Sequence, residues 1–138
     1  MASSRVSTRL YRSALASIAG DLSRRAAQNA ARETARRARV NVIRAGRWDT
    51  GKLANSMTVE ESPTSSPQRP RFRVRPNVPY AGFQEHGTRA HGPVRAPCMV
   101  FRPKGGGGLV FAKWVRGVTP ARFMRQALDS IRTTDFRP

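Results

Sequence analysis

Apolar positions recur with a helical period through the first forty residues and alternate with polar ones through the middle of the chain. Tyr11, Leu15, Ile18 and Leu22 are spaced four, three and four apart, as on one face of an α-helix. Beyond Leu22 the stripe continues in small residues, Ala26, Ala30, Ala31, Ala35 and Ala38, and ends at Val42. This stretch has no proline and a single glycine, Gly20, and alanine and arginine, both strong helix formers, dominate it. The pattern predicts one long N-terminal helix over about 4–45, stopped by Gly46. At ~1.5 Å per residue it would span roughly 60 Å, longer than a domain of this size is wide. Part of it must therefore project or pack on a neighbouring subunit, unless it breaks at Gly20-Asp21. The alanine face would let another helix or a sheet approach closely.

Asp49-Thr50-Gly51 reads as a turn and Lys52 to Ser56 as a short helical turn. Met57 to Glu60 and Arg71 to Arg75 alternate with period two, as half-buried strands do, with Phe72 and Val74 inward and Arg71, Arg73 and Arg75 outward. Between them the Pro- and Ser-rich stretch 62–70 is a loop. Pro79 can open a helical turn. Tyr80 and Phe83 then share one side of it, and Gly87 can end it at positive φ. After an irregular arm, 89–97, the runs 98–101 and 109–115 form a hairpin around Gly105 to Gly108. Thr119-Pro120 resembles a helix start. Phe123, Ala127 and Ile131, with Met124 and Leu128 alongside, form a stripe expected to pack on the sheet. The result is an α+β fold in one domain, 1–138. A long N-terminal helix and a C-terminal helix, about 120–132, pack on a small antiparallel β-sheet with a long hairpin in the β-rich middle, 57–116.

Charge changes this picture. The chain carries 26 basic residues against 8 acidic ones, a net charge of +18. Three of the basic residues are lysines (Lys52, Lys104 and Lys113) and the other 23 are arginines. The excess divides evenly, +9 in residues 1–47 and +9 in 48–138, so this is not a basic tail on a neutral domain. Such a chain repels itself and attracts polyanions. It lies beside nucleic acid or beside acidic neighbours, unless the arginine bias reflects codon composition. The 38% of hydrophobic residues suits a modest core with some chain outside it. With Cys98 alone no internal disulfide can form, which suits assembly in a reducing compartment. No apolar run reaches the ~18 residues of a spanning helix, and no signal-peptide core is present.

Catalytic chemistry finds little support. Glu85, His86, His91 and Cys98 are the one cluster worth testing, but their spacing fits no helical zinc motif and Cys98 lacks a nucleophile signature. The four glycines 105–108 lack the Gly-Lys-Ser/Thr and following helix of a phosphate loop, so they read as a hairpin tip. We expect a non-enzyme with no metal and no cofactor. Paired zinc ligands, an aromatic RNA-binding strand and a helix-turn-helix are all missing from the sequence.

Three motifs in order carry a family resemblance. Thr50-Gly51-Lys52-Leu53-Ala54-Asn55-Ser56-Met57 resembles "Thr-Gly-x-Leu-x-x-Ser-hydrophobic", and Tyr80 to Thr88 resembles "Tyr-Ala-x-aromatic-x-Glu-x-Gly-Thr". Pro120 to Leu128 resembles "Pro-x-x-Phe-hydrophobic-x-x-Ala-Leu". Together, over about residues 10–132, they resemble the tail-completion, or head–tail joining, proteins of tailed bacteriophages. The arm 89–97 and its glycine hairpin are where members of that family vary.

The resemblance implies a structural virion protein at the neck, assembled in the host cytoplasm. It would form a ring around the DNA channel, six copies matching the symmetry of a tail. Its partners would be itself, a head-side connector or stopper protein, a tail terminator or tail tube protein, and genomic DNA passing without sequence specificity. No membrane is involved. Thr50, Gly51, Leu53, Ser56, Tyr80, Phe83, Glu85, Gly87, Thr88, Pro120, Phe123, Ala127 and Leu128 would serve fold integrity. Arg71, Arg73 and Arg75, with Arg89, Arg95 and Lys104 on loops, are the candidate DNA-channel or partner contacts. A tail terminator ring or other minor tail protein, and a basic nucleic-acid-binding module, are the alternatives.

Overall fold

A computed structural model describes residues 2–47 and 49–138, with side chains from Ala14 onward. Helix α1 runs unbroken from Ala2 to Arg44, 43 residues, continuing through Gly20. It ends in a Schellman turn: Gly46, at φ 67°, donates to Ile43 O, and Arg47 donates to Val42 O. The predicted glycine stop is the residue that allows this.

The chain resolves into two compact units, the first comprising residues 1–78 and 123–138, the second residues 79–122. In the first, the C-terminal half of α1 presents Ala30, Ala31, Thr34, Ala38 and Val42 as a buried face, spaced three to four apart. Thr34 hides its hydroxyl by donating to Ala30 O at 2.8 Å. The short helix α2 (Lys52–Asn55) follows Gly51, which sits at φ 72°. Its Leu53 and Ala54 are buried, and the Ser56 hydroxyl donates to Leu53 O at 2.8 Å.

Strands β1 (Met57–Glu61) and β2 (Phe72–Pro76) form an antiparallel hairpin, with Thr58 opposite Arg75, Val59 opposite Val74 and Glu60 opposite Arg73. Phe72, Val74 and Pro76 are half-buried, and the residues between them are exposed, the expected alternation.

The C-terminal helix departs from the sequence expectation at both ends. The third helix of the chain is α3 (Ala81–His86), and the fourth, α4, covers only Phe123–Asp129. It cannot begin at Pro120, because Arg122 sits at φ 50°, outside the right-handed helical region; the Ala121 and Arg122 N–H groups donate to Gln84 O and Glu85 O. Nor does its stripe pack on a sheet. Phe123 and Ala127 are fully buried, and α4 lies against the alanine face of α1, where Asn41 donates to Phe123 O at 3.2 Å. Small residues on α1 leave room for the Phe123 ring, which explains the preference.

A 3-10 turn, Thr133–Phe136, is tied to the same helix by ions. Arg37 bridges the Glu33 carboxylate, at 2.8 Å, and the Asp135 carboxylate, at 3.0 Å, and also reaches Ser130 O. Arg36 closes on Glu33 at 2.6 Å. Donation from Arg36 above all, with Arg37 adding to it against the opposing effect of desolvation, holds the Glu33 carboxyl at about 2, below its ordinary 4.5. A value lower in the folded chain than in the unfolded one stabilises the fold at pH above 4.5 and loses that contribution as pH falls toward 2. Glu33→Gln should therefore lower Tm at neutral pH and flatten its fall between pH 4.5 and 2, as read by scanning calorimetry.

In the second unit, α3 ends at Gly87, where φ is 74° and ψ is 175°. Strands β3 (Met99–Phe101) and β4 (Val110–Ala112) form a second two-stranded antiparallel sheet, so the long N-terminal helix, the C-terminal helix and the small antiparallel sheets give the expected α+β fold, with its strands in two hairpins. The expected strand 109–115 is cut short by a bend at Lys113, after which Val115 pairs with His91 through two backbone hydrogen bonds.

Candidate assembly interface

The Gly-Thr pair of the second motif is a clamp inside the second unit. Thr88 donates its backbone N–H to Val118 O, and its hydroxyl accepts the Val118 N–H, both at 2.9 Å. The approach is so close that a Cβ on Gly87 would lie 2.5 Å from Val118 O, and one on Gly117 only 1.8 Å from Thr88 O. Gly117 was not singled out from sequence. Its need becomes visible only when residues 115–118 are laid beside 88–91, since nothing local to Gly117 marks it.

The aromatics of that motif lie on the surface. Tyr80 is 39% exposed and Phe83 is 60% exposed, whereas Ala81 between them is buried. In the third motif Phe123 and Ala127 are buried, and Leu128 is 65% exposed. In the first, Gly51, Leu53 and Ala54 are buried and Thr50 is exposed. Pro120 is exposed and Glu85 half-buried.

The arginine strand is less uniformly cationic than its sequence suggests. Arg73 faces Glu60 across the hairpin, and Arg75 closes on Glu60 at 3.2 Å. Opposite charges on one face of a strand pair remove much of the repulsion expected of three neighbouring arginines. Arg71, at the strand's edge, lies 3.4 Å from the Thr64 hydroxyl. Behind the hairpin is a cleft of about 420 Å³, lined by Asp21, Arg24, Arg25, Gln28, Val59, Glu61 and Phe72. Arg24 and Glu61 pair across it. The Ser65 hydroxyl, with Arg24 second, holds the Glu61 carboxyl below the usual carboxylate range.

Arg89, Arg95 and Lys104 belong to exposed loops of the second unit, so the six candidate contact residues are divided between the units. From His86 to Leu128 the chain has no carboxylate at all, against eight cations. Among the described residues, no group of three or more His, Cys, Asp or Glu could hold a metal ion, and no helix is long and apolar enough to cross a membrane.

Among the described residues, exposed apolar side chains also gather at two further places. On the N-terminal half of α1, Leu15, Ile18 and Leu22 are exposed; the Tyr11 side chain, first in that stripe, lies outside the described residues. On the second hairpin, Val100 pairs with Phe111 on one face and Phe101 with Val110 on the other, and all four are exposed, as are Leu109 and Trp114.

No curated protein and no solved structure matches this chain. Residues 11–87 match a family described as "Bacteriophage HK97-gp10, putative tail-component", a span that takes in α1 from Tyr11 onward, the first motif and the second motif as far as Gly87. With more than half of its length inside that match, the chain belongs to the HK97-gp10-like family and is a structural, tail-associated component of a phage virion.

Proposed function

We propose that this tail component forms a ring in the neck of the virion, between the head-side connector or stopper protein and the tail terminator or tail tube, with the genome passing through it. One observation carries the reading. At least five of the eight carboxylates (Glu33, Glu60, Glu61, Asp129 and Asp135) are already paired with the chain's own arginines, so the net +18 is left for an external polyanion. A ring around DNA gains from such charge without reading bases, because phosphate contacts carry no sequence information. Arg71, Arg73, Arg75, Arg89, Arg95 and Lys104 are the candidates to face DNA or a partner. A hexamer would match the symmetry of a tail.

The particle itself gives the test. Phage lacking this protein should accumulate DNA-filled heads and finished tails as separate objects under the electron microscope. Tails of irregular length would instead make it a terminator. The purified chain should bind duplex DNA of any sequence, and a protein making 6–10 phosphate contacts should lose about 10³–10⁵ in affinity between 50 and 200 mM salt. Nanomolar, sequence-specific binding by a stable monomer at physiological salt would overturn the neck assignment.

A further inference from the structure

We propose that the β3–β4 hairpin is the docking surface for another protein of the virion, one that presents an apolar groove rimmed by aspartate and glutamate. The inference rests on the neck reading and deepens it by giving the chemistry of one partner. A two-stranded hairpin is at best marginally stable in water by itself. Here Val100 and Phe111 are exposed on one face and Phe101 and Val110 on the other, with Leu109 and Trp114 exposed beside them. At roughly 100 Å² for each such half-exposed side chain, these six offer about 600 Å², the upper end of what the largest patch on a monomer reaches, and such patches are often functional. With the cations that flank it, the surface comes close to the ~800 Å² that each partner gives a standard interface. Covering both faces takes a groove, not a single flat surface, and the tip, Gly105 to Gly108, has no side chains to obstruct its entry.

Charge and shape choose among the occupants. Arg102 directly follows β3, and Lys113 and Arg116 follow β4. All three are exposed, and none is in an ion pair among the described residues. A second copy has little to offer them. Five of its eight carboxylates pair with its own arginines, Asp49 and Glu85 are engaged as well, and Asp21 shares a cleft with Arg24 and Arg25. Duplex DNA would satisfy the cations through its phosphates but has no apolar groove for Val100, Leu109 and Val110. An anionic bilayer covers one face of a hairpin lying on it, and entry tip-first would carry Arg102 and Lys104 into hydrocarbon, where charge is expensive. A protein groove with an acidic rim meets both demands, apolar against the two faces and negative at the edges.

Photocrosslinking in the assembled particle provides the test. Benzoylphenylalanine replaces Phe101 in one phage stock and Phe111 in another, which puts a probe on each face of the hairpin. Intact virions are irradiated, and the joined peptides are read by mass spectrometry. Both probes should join to one and the same foreign virion protein, at peptides bearing Asp or Glu. Joining to a second copy, to DNA alone or to nothing overturns this interface and leaves the neck reading standing. Infectious particles made without this chain overturn the neck reading and the inference that rests on it. Substitution gives a second measurement. Phe111→Glu, and Lys113→Glu combined with Arg116→Glu, alter exposed side chains, so the far-UV circular dichroism spectrum should be unchanged. Each should restore infectivity to phage lacking the chain at least ~10-fold less well than the wild-type chain does. Full restoration by both overturns the interface. Pelleting of the purified chain with phosphatidylglycerol vesicles, abolished by Phe111→Glu, would assign the hairpin to a bilayer and overturn it too.

Discussion

Replacing Phe123 with alanine is expected to remove about 3–5 kcal/mol of stability, the usual cost of deleting a buried phenyl ring. Total stability for a domain of ordinary size is only ~5–15 kcal/mol. The effect should sit at the upper end because of what surrounds the ring. Among the described residues, the buried apolar ones of the first unit are Ala30, Ala31, Ala38, Val42, Leu53, Ala54, Phe123 and Ala127, so Phe123 is the one large side chain in this set of methyl groups and two aliphatics. Alanines on a helix cannot swing inward to fill the space it leaves. Tm should fall by roughly 10–20 °C in scanning calorimetry, and α4 together with the 3-10 turn should lose hydrogen-exchange protection first. Phe123→Leu, which keeps most of the volume, should cost under ~1.5 kcal/mol. A drop of only a few degrees for the alanine variant would mean that α4 is not anchored through this ring.

The second large effect is expected from one methyl group. In Gly117→Ala the new Cβ would lie 1.8 Å from Thr88 O and 2.6 Å from the carbonyl carbons of Thr88 and Arg89, all backbone atoms that no rotamer change can move. The strand segments must separate. That would break the paired Thr88–Val118 and His91–Val115 hydrogen bonds, which hold residues 115–118 against 88–91. A cost above ~4 kcal/mol is expected, in the range reserved for disrupted backbone networks, with exchange protection lost across residues 79–122. Gly82→Ala provides the control. Gly82 lies within α3 at ordinary φ, and its Cβ would meet nothing within 4 Å, so that variant should be neutral or more stable by ~0.5–1 kcal/mol. Equal protection in the Gly117 and Gly82 variants would refute the close approach.

The sites that stood out in the sequence differ in how far the structure explains them. Gly87 and Thr88 are accounted for by the clamp on Val118, and Leu53, Phe123 and Ala127 by burial. Tyr80, Phe83 and Leu128 are exposed, so the chain's own packing gives no reason for large apolar groups there. A Glu-His pair beside a glycine turn attracts a catalytic reading in one dimension. In three dimensions the Gln84 and Glu85 carbonyls hold the chain leading into α4.

What the sequence determined by itself is whatever depends on a residue and its near neighbours. Alanine and arginine without proline are enough to make α1, Gly46 to stop it and Gly87 to end α3, because helix propensity and positive φ are properties of single residues. Alternation placed Phe72 and Val74 inward for the same reason. Tertiary structure alone decided which stretch of the α1 stripe is buried: with α4, the 3-10 turn, α2 and the first hairpin packed on α1, its later alanines and Val42 are buried, while Leu15, Ile18 and Leu22 are left in solvent. It also decided that Arg73 and Arg75 meet Glu60, that Arg37 reaches Asp135, that α4 waits until Phe123, and that Gly117 can be nothing but glycine. Each of these depends on a partner between 13 (Glu60 to Arg73) and 98 positions away, and strand register, helix packing and close backbone approach leave no trace in the residue types on either side.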